Sequence, residues 1–220
     1  MKTSVTYKEI WKLTYPIILG YIVQNIISVT DTAFLGHVGE IELGASAIGG
    51  LFYILIIMLG FGFSIGAQII TARRCGEKNY TKIGKTTEHS LYFLMFVALL
   101  VIVFINPFIP KILTGIIESK EVLKATQTFL GIRIFGVIFA YVNHGFRAFY
   151  IGLAKTKIIT YTTVLMAISN IFLDYVLVFG NLGFPELGIG GAALASVISE
   201  VIASLFFVIY TLKFIDLKSY

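Results

Sequence analysis

Six long apolar runs, separated by short polar segments, organise the chain. They cover about Ile10–Leu35, Leu43–Ala72, His89–Leu113, Ala125–Ile151, Ile158–Phe179 and Ile189–Phe214. Each is longer than the roughly 20 residues a helix needs to cross the hydrocarbon of a bilayer. The pattern predicts an all-α polytopic membrane protein with six transmembrane helices. The connections leave no room for a soluble catalytic domain. One of them, Thr114–Lys124, places Ser119 as a candidate cap for the fourth helix. Another, Asn181–Gly188, reads as a turn from its Gly and Pro content. The first run is not expected to be a cleaved signal peptide. Lys8, Trp11 and Lys12 precede an apolar stretch that is too long, with no small-residue cleavage site before a soluble domain.

Composition agrees. Hydrophobic residues make up 57% of the 220 and charged residues only 13%, against about 25% in a soluble domain. Mean hydropathy is +0.90. Lipid must solvate much of this surface. The net charge of +5 does not point to nucleic acid, because the basic residues sit between apolar runs. They report topology instead. Lys2, Lys8 and Lys12 flank the first run; Arg73, Arg74, Lys78, Lys82 and Lys85 follow the second; Arg147, Lys155 and Lys157 mark the end of the fourth; Lys213 and Lys218 close the sixth. The exceptions are Lys111, Lys120, Lys124 and Arg133 on the other side. Both termini are therefore expected in the cytoplasm, in a plasma (bacterial inner) membrane.

Polar residues inside the runs carry the candidate chemistry. A charge at the centre of a membrane helix costs roughly 2.5–3.5 kcal/mol on insertion scales, so Asp31 and Asp174 need a polar cavity or a partner. By helix rise, Asp31 lies about 6 Å and Asp174 about 8 Å inside the outer boundary. Gln24, Ser28 and Asp31 share one helical face, as do Asn170 and Asp174. Gly188, Ala192, Ser196 and Glu200 form a stripe on the sixth helix, with Glu200 about 16 Å deep. These faces are expected to line one wet cavity. Plainer roles compete. Asp31 can cap a helix end, Glu200 can pair with a basic residue for packing, and Gln24 and Ser196 can be packing hydrogen bonders. Arg147 is expected to snorkel to the headgroups. Gly62 and Gly66 are expected to let two helices approach closely. Pro16 marks a kink or a hinge in the first helix.

Enzyme signatures are absent. There is no HExxH or CxxC metal motif, and the single Cys75 forms no intramolecular disulfide. His37, His89 and His144 are far apart and read as residues near span ends. No GxGD motif accompanies the two aspartates, which argues against an intramembrane protease.

Five segments in order resemble the first half of multidrug and toxic compound extrusion (MATE) transporters. They are Pro16-Ile17-Ile18-Leu19 with Gln24 and Asp31-Thr32-Ala33-Phe34-Leu35-Gly36; Gly62, Gly66, Ala72-Arg73 and Gly76; the run from Arg147 to Thr156; Asn170-Ile171-Phe172-Leu173-Asp174; and the run from Gly188 to Ser196. The resemblance implies one six-helix lobe of a cation-coupled antiporter that exports amphipathic, often cationic, compounds. It implies a proton- or sodium-linked site at Gln24, Asp31, Asn170 and Asp174, with Ser196 standing where many members have Thr. Glu200 is not carried over. No cofactor is implied beyond H⁺ or Na⁺ as coupling ion, with no metal beyond Na⁺ at that same site. Partners are lipid, a small organic substrate and a second lobe, from a homodimer or a separate chain; nucleic acid is not expected. Members of the family have two such lobes, so the chain is expected to be a half-transporter, a truncated sequence or an inactive fragment. The expected switch is electrostatic: two ionised carboxylates repel, and a bound cation relieves the repulsion and repacks helix 1. The alternative is a lipid-linked oligosaccharide flippase of the same broad superfamily, which a basic central cavity would favour.

Overall fold

The structure, a computed structural model, describes residues 6–215; Lys2 and Lys218, used above for topology, lie outside the described residues. Six helices are long and apolar enough to cross a membrane: α1 (Tyr7–Val38), α2 (Glu40–Gly76), α3 (Tyr80–Thr114), α4 (Lys120–Gly152), α5 (Lys157–Leu177) and α6 (Gly188–Phe214). The apolar runs account for all six. Most helices run past them into polar residues that need no lipid, such as Glu40 and Tyr80.

Local chemistry sets the ends. The Ser119 hydroxyl accepts from the Val122 N–H at 3.4 Å, capping α4 as expected. The α1 start is a reciprocal capping box, in which the Thr6 N–H donates to Glu9 at 3.0 Å. α3 widens into a π turn at Val101–Ile105 and tightens to 3₁₀ at Asn106–Phe108. Pro107 and Pro110 sit there and supply no N–H to the ladder, so the regular spacing breaks. The α5–α6 turn passes through Gly180 at φ 70°, where a Cβ would lie 2.8 Å from the Glu186 nitrogen. At Gly191 a Cβ would lie 2.5 Å from the Leu177 carbonyl oxygen. Both positions admit only glycine, and they hold the two helices in a tight antiparallel pair.

α4 is the axis of the lobe, packed between α2, α3 and α6. Leu94, Leu130, Ile134, Val137 and Tyr141 form the core on the α2–α3 side. Phe146, Tyr150, Ile159 and Phe207 form the core with α5 and α6. The Tyr141 hydroxyl donates to the Ile56 carbonyl at 2.6 Å, its ring lying against Gly60. α1 is held differently. Only 6% of its most apolar window is buried, against 56% for α6. It lies along α5, where Gly20 meets Ile159 and Thr163 and the Thr160 hydroxyl donates to the Pro16 carbonyl at 2.7 Å. The outer faces are rich in large apolar side chains, among them Leu51, Leu55, Leu59 and Ile69 of α2. A bilayer supplies the solvent that such a surface requires.

One expectation is corrected here. Gly62 and Gly66 are exposed, and a Cβ at either would meet nothing within 4 Å. The close approaches on α2 occur instead at Gly49, against Phe129, and at Gly60. Spacing identified small residues but not the face that the neighbouring helices occupy.

Candidate cation site and the cavity beside it

The polar faces do converge. Gln24, Ser28 and Asp31 of α1, Asn170 of α5, and Ser196 and Glu200 of α6 all line one cavity of about 450 Å³. Tyr53 and Phe61 of α2 and Arg133, Asn143, His144 and Arg147 of α4 complete its polar and aromatic wall. A second cavity, of about 650 Å³, lies among the α1 start, the α4–α5 turn and Tyr210. It is larger, but none of Gln24, Ser28, Asp31, Asn170, Ser196 and Glu200 lines it.

Asp31 is partly exposed on the cavity wall, whereas Asp174 is fully buried behind it, one helical turn from the equally buried Asn170. The Asp31 and Asp174 carboxyls are near enough to interact electrostatically, with no hydrogen bond joining them. Ionised carboxylates only accept, so they bond each other only when one carries a proton. Among the described residues, Asp31 Oδ1, both Asp174 oxygens and both Asn170 amide atoms find no hydrogen-bond partner. Unpaired buried acceptors of this kind are costly. Their donor set, two carboxylates with an amide oxygen close by, suits a proton or a hard cation rather than a soft metal. Among the described residues, no group of three or more His, Cys, Asp or Glu side chains is placed to hold a metal ion.

A second charged pair faces the same cavity. Arg133 donates to Glu200 at 2.9 Å across the α4–α6 contact. Its guanidinium lies 4.1 Å from the centroid of the Tyr53 ring, and the Tyr53 hydroxyl reaches Glu200 at 3.3 Å. Asn143 donates to the Glu200 carbonyl at 3.1 Å and accepts from Ser204 at 2.9 Å. Gly136 makes room for this network, since a Cβ there would lie 2.7 Å from Glu200 Oε2. Glu200 thus realises its plainer expectation, a packing pair, while remaining on the cavity wall. Arg133, grouped above with outer-side basic residues, is instead inside the lobe. The signal that flagged the acids, a charge within an apolar run, applies equally to it.

Arg147 and His144 depart from expectation. Arg147 turns into the cavity and sits 5.5 Å from the centroid of the Tyr21 ring on α1. It does not run to the helix end. His144 also lines the cavity, with its ring 5.5 Å edge-on to Phe61. His37 lies in the last turn of α1, as expected, whereas His89 lies well inside α3; each ring bonds a carbonyl of its own helix. Pro16 lies inside an α1 that runs unbroken from Tyr7 to Val38, away from the cavity lining.

A family model described as MatE matches residues 16–176, well over half of the chain. The chain belongs to the MatE family. The MatE match takes in Pro16, Gln24, Asp31, Asn170 and Asp174, and ends before Ser196 and Glu200. A probable multidrug resistance protein NorM from Agrobacterium fabrum is 28% identical over 215 residues, covering 97% of this chain and 46% of that protein. Proteins of the same description from Bacillus thuringiensis and Thermotoga maritima are 32% and 31% identical, covering 88% and 90% of this chain but 43% and 42% of their own lengths. A solved outward-facing structure of a multidrug resistance MATE family transporter of the MOP superfamily superposes with a TM-score of 0.87 at 24% identity, over 94% of this chain and 45% of that one. A MATE in a bent conformation gives 0.84 at the same identity. The structural likeness speaks for the fold. The chain spans about half the length of the curated relatives it matches, and corresponds to the amino-terminal six-helix lobe of MATE transporters. It is a multi-pass membrane protein of a multidrug efflux transporter family.

Proposed function

We propose that this lobe is the cation-responsive half of an antiporter, with Asp31 and Asp174 as the H⁺ or Na⁺ site. The observation that carries the reading is a pair of interacting carboxyls left unsatisfied by the protein, beside the partnerless amide of Asn170 and at the edge of a cavity. Two like charges this close in a poorly hydrated setting repel strongly. A proton shared between them, or a sodium ion held by their oxygens with help from Asn170, Gln24 and Ser196, removes that repulsion. The exported ligand occupies the neighbouring cavity as an amphipathic organic compound, in contact with Ser28 and the aromatic wall.

Coupling follows from how α1 is held. α1 carries Asp31 yet buries the smallest share of its apolar window of any span, so its position against α5 is the one a change of charge can most readily alter. Pro16, bound through its carbonyl to Thr160, is the point about which α1 pivots. Cation binding draws α1 toward α5, narrows the cavity and expels the ligand. Alternating access needs a second lobe for this one to move against. The assembly sits in the plasma membrane with the helix ends bearing Lys8, Lys12, Arg73, Arg74, Lys155 and Lys157 on the cytoplasmic side.

The test is Asp174→Asn in inverted membrane vesicles, with ethidium efflux followed under imposed H⁺ and Na⁺ gradients. Gradient-driven efflux is abolished while the amount of protein in the membrane is unchanged. Efflux at the wild-type level by this variant overturns the reading.

A further inference from the structure

The cavity has a second polar end that the acid pair does not explain. Among the described residues the ion pairs are Arg73–Glu77 and Arg133–Glu200. Arg147 lines the same cavity as Arg133 and has no carboxylate partner. Its contact is the Tyr21 ring, 5.5 Å away, with the Tyr21 hydroxyl in interaction range. A guanidinium remains charged under all conditions in a protein and carries five N–H donors in a planar fork. An aromatic face attracts such a cation, but it neutralises nothing and leaves most donors open. Nor does the side chain escape to headgroups, because it is turned toward α1. His144 lies one helical turn before Arg147 on α4 and lines the same wall.

We infer that Arg147, with His144 and Tyr21 beside it, forms an anion subsite for the oxyanion of an amphipathic ligand: a carboxylate, phosphate or sulfonate. The bidentate geometry of guanidinium and oxyanion makes this the natural counter-ion for the site. Tyr21 and Asp31 are ten residues apart on α1, about 15 Å along the helix. The subsite therefore takes the opposite end of a ligand from the one near Asp31. A ligand of about that length with an anionic head and an aromatic or aliphatic body fits, its body passing Phe61 and Met58. The oxyanion can come from a soluble organic acid or from a phospholipid headgroup that enters between helices. The inference rests on the cavity holding the ligand, as proposed above, but not on export or on cation coupling.

The experiment uses the purified full chain in nanodiscs of phosphatidylcholine and a matched pair of fluorescent probes, dansyl-glycine and its uncharged amide. The acid binds about tenfold more tightly than the amide at low salt, the scale of a hydrogen bond to a charged group. The preference shrinks as salt is raised. Arg147→Gln brings the ratio to about one while binding the amide as before. Arg147→Lys retains part of the preference, and Arg73→Gln, on an exposed helix end, retains all of it. Replacing part of the phosphatidylcholine with phosphatidylglycerol separates the two sources: loss of acid binding in the wild type assigns the site to a lipid phosphate, and undiminished binding assigns it to soluble acids. Both results support an anion subsite. Equal binding of acid and amide by the wild type overturns it without any variant, as does an undiminished preference in Arg147→Gln. Neither outcome depends on whether Asp174→Asn abolishes efflux, so failure of the subsite and failure of the cation site are distinguishable.

Discussion

Two pairs of charged side chains sit at one cavity, three of the four on its wall and Asp174 buried behind it, and they are treated in opposite ways. Arg133 and Glu200 are of opposite sign, 2.9 Å apart, and Tyr53 and Asn143 provide further contacts. Asp31 and Asp174 are of like sign, near enough to interact electrostatically, and without a donor from the protein. The first pair joins α4 to α6, two helices with large buried faces. The second joins α5 to α1, the helix with the smallest buried share. A satisfied pair on a rigid contact fixes a shape. An unsatisfied pair on a loose contact asks for a ligand and can move when it arrives.

Breaking the satisfied pair should have the largest effect on stability. Glu200→Ala leaves Arg133 charged and unpaired, at an expected cost of about 3 kcal/mol, read as a lower thermal midpoint of the purified chain in detergent. Removing Arg133 as well, in the double variant Arg133→Met with Glu200→Leu, should restore most of the loss. Crowding the pair is milder. Gly136→Ala places a methyl against Glu200 Oε2 and should cost about 2 kcal/mol, in the same melting assay.

The unsatisfied pair should respond in the other direction. Asp174→Asn removes one of two repelling charges, so it should raise the thermal midpoint by about 1 kcal/mol equivalent even as it abolishes efflux. A fall comparable to that of Glu200→Ala would erase the distinction between the pairs. Ser119→Ala, remote from both, should cost about 0.5 kcal/mol because its capping bond is long at 3.4 Å. That variant sets the scale of an ordinary local change.

The contrast also marks what the amino-acid pattern could reveal. The six helices were legible because bilayer thickness imposes a length that apolar runs must meet. The convergence of Gln24, Ser28, Asp31, Asn170, Ser196 and Glu200 was legible because polar side chains inside apolar runs share helical faces and cannot all face lipid. The pairing of Arg133 with Glu200 was not. It depends on which face of α4 meets α6, and α4 has neighbours on several sides. The same lack of rotational information misdirected Arg147, whose depth suits a snorkelling side chain but whose azimuth points it at Tyr21. It also misdirected Gly62 and Gly66, which have the right spacing on the wrong face. Helical periodicity gives relative angles within one helix; contacts between helices supply the absolute ones.

The most direct measurement of the central claim is infrared difference spectroscopy of the carboxyl groups in the purified chain, with and without Na⁺ and across pH. The account predicts a carboxyl signal that responds to cation binding in the wild type and is lost in both Asp31→Asn and Asp174→Asn, while Glu200→Gln retains it. An identical cation response in wild type and in the Asp31→Asn, Asp174→Asn double variant would contradict the claim that these two acids form the cation site.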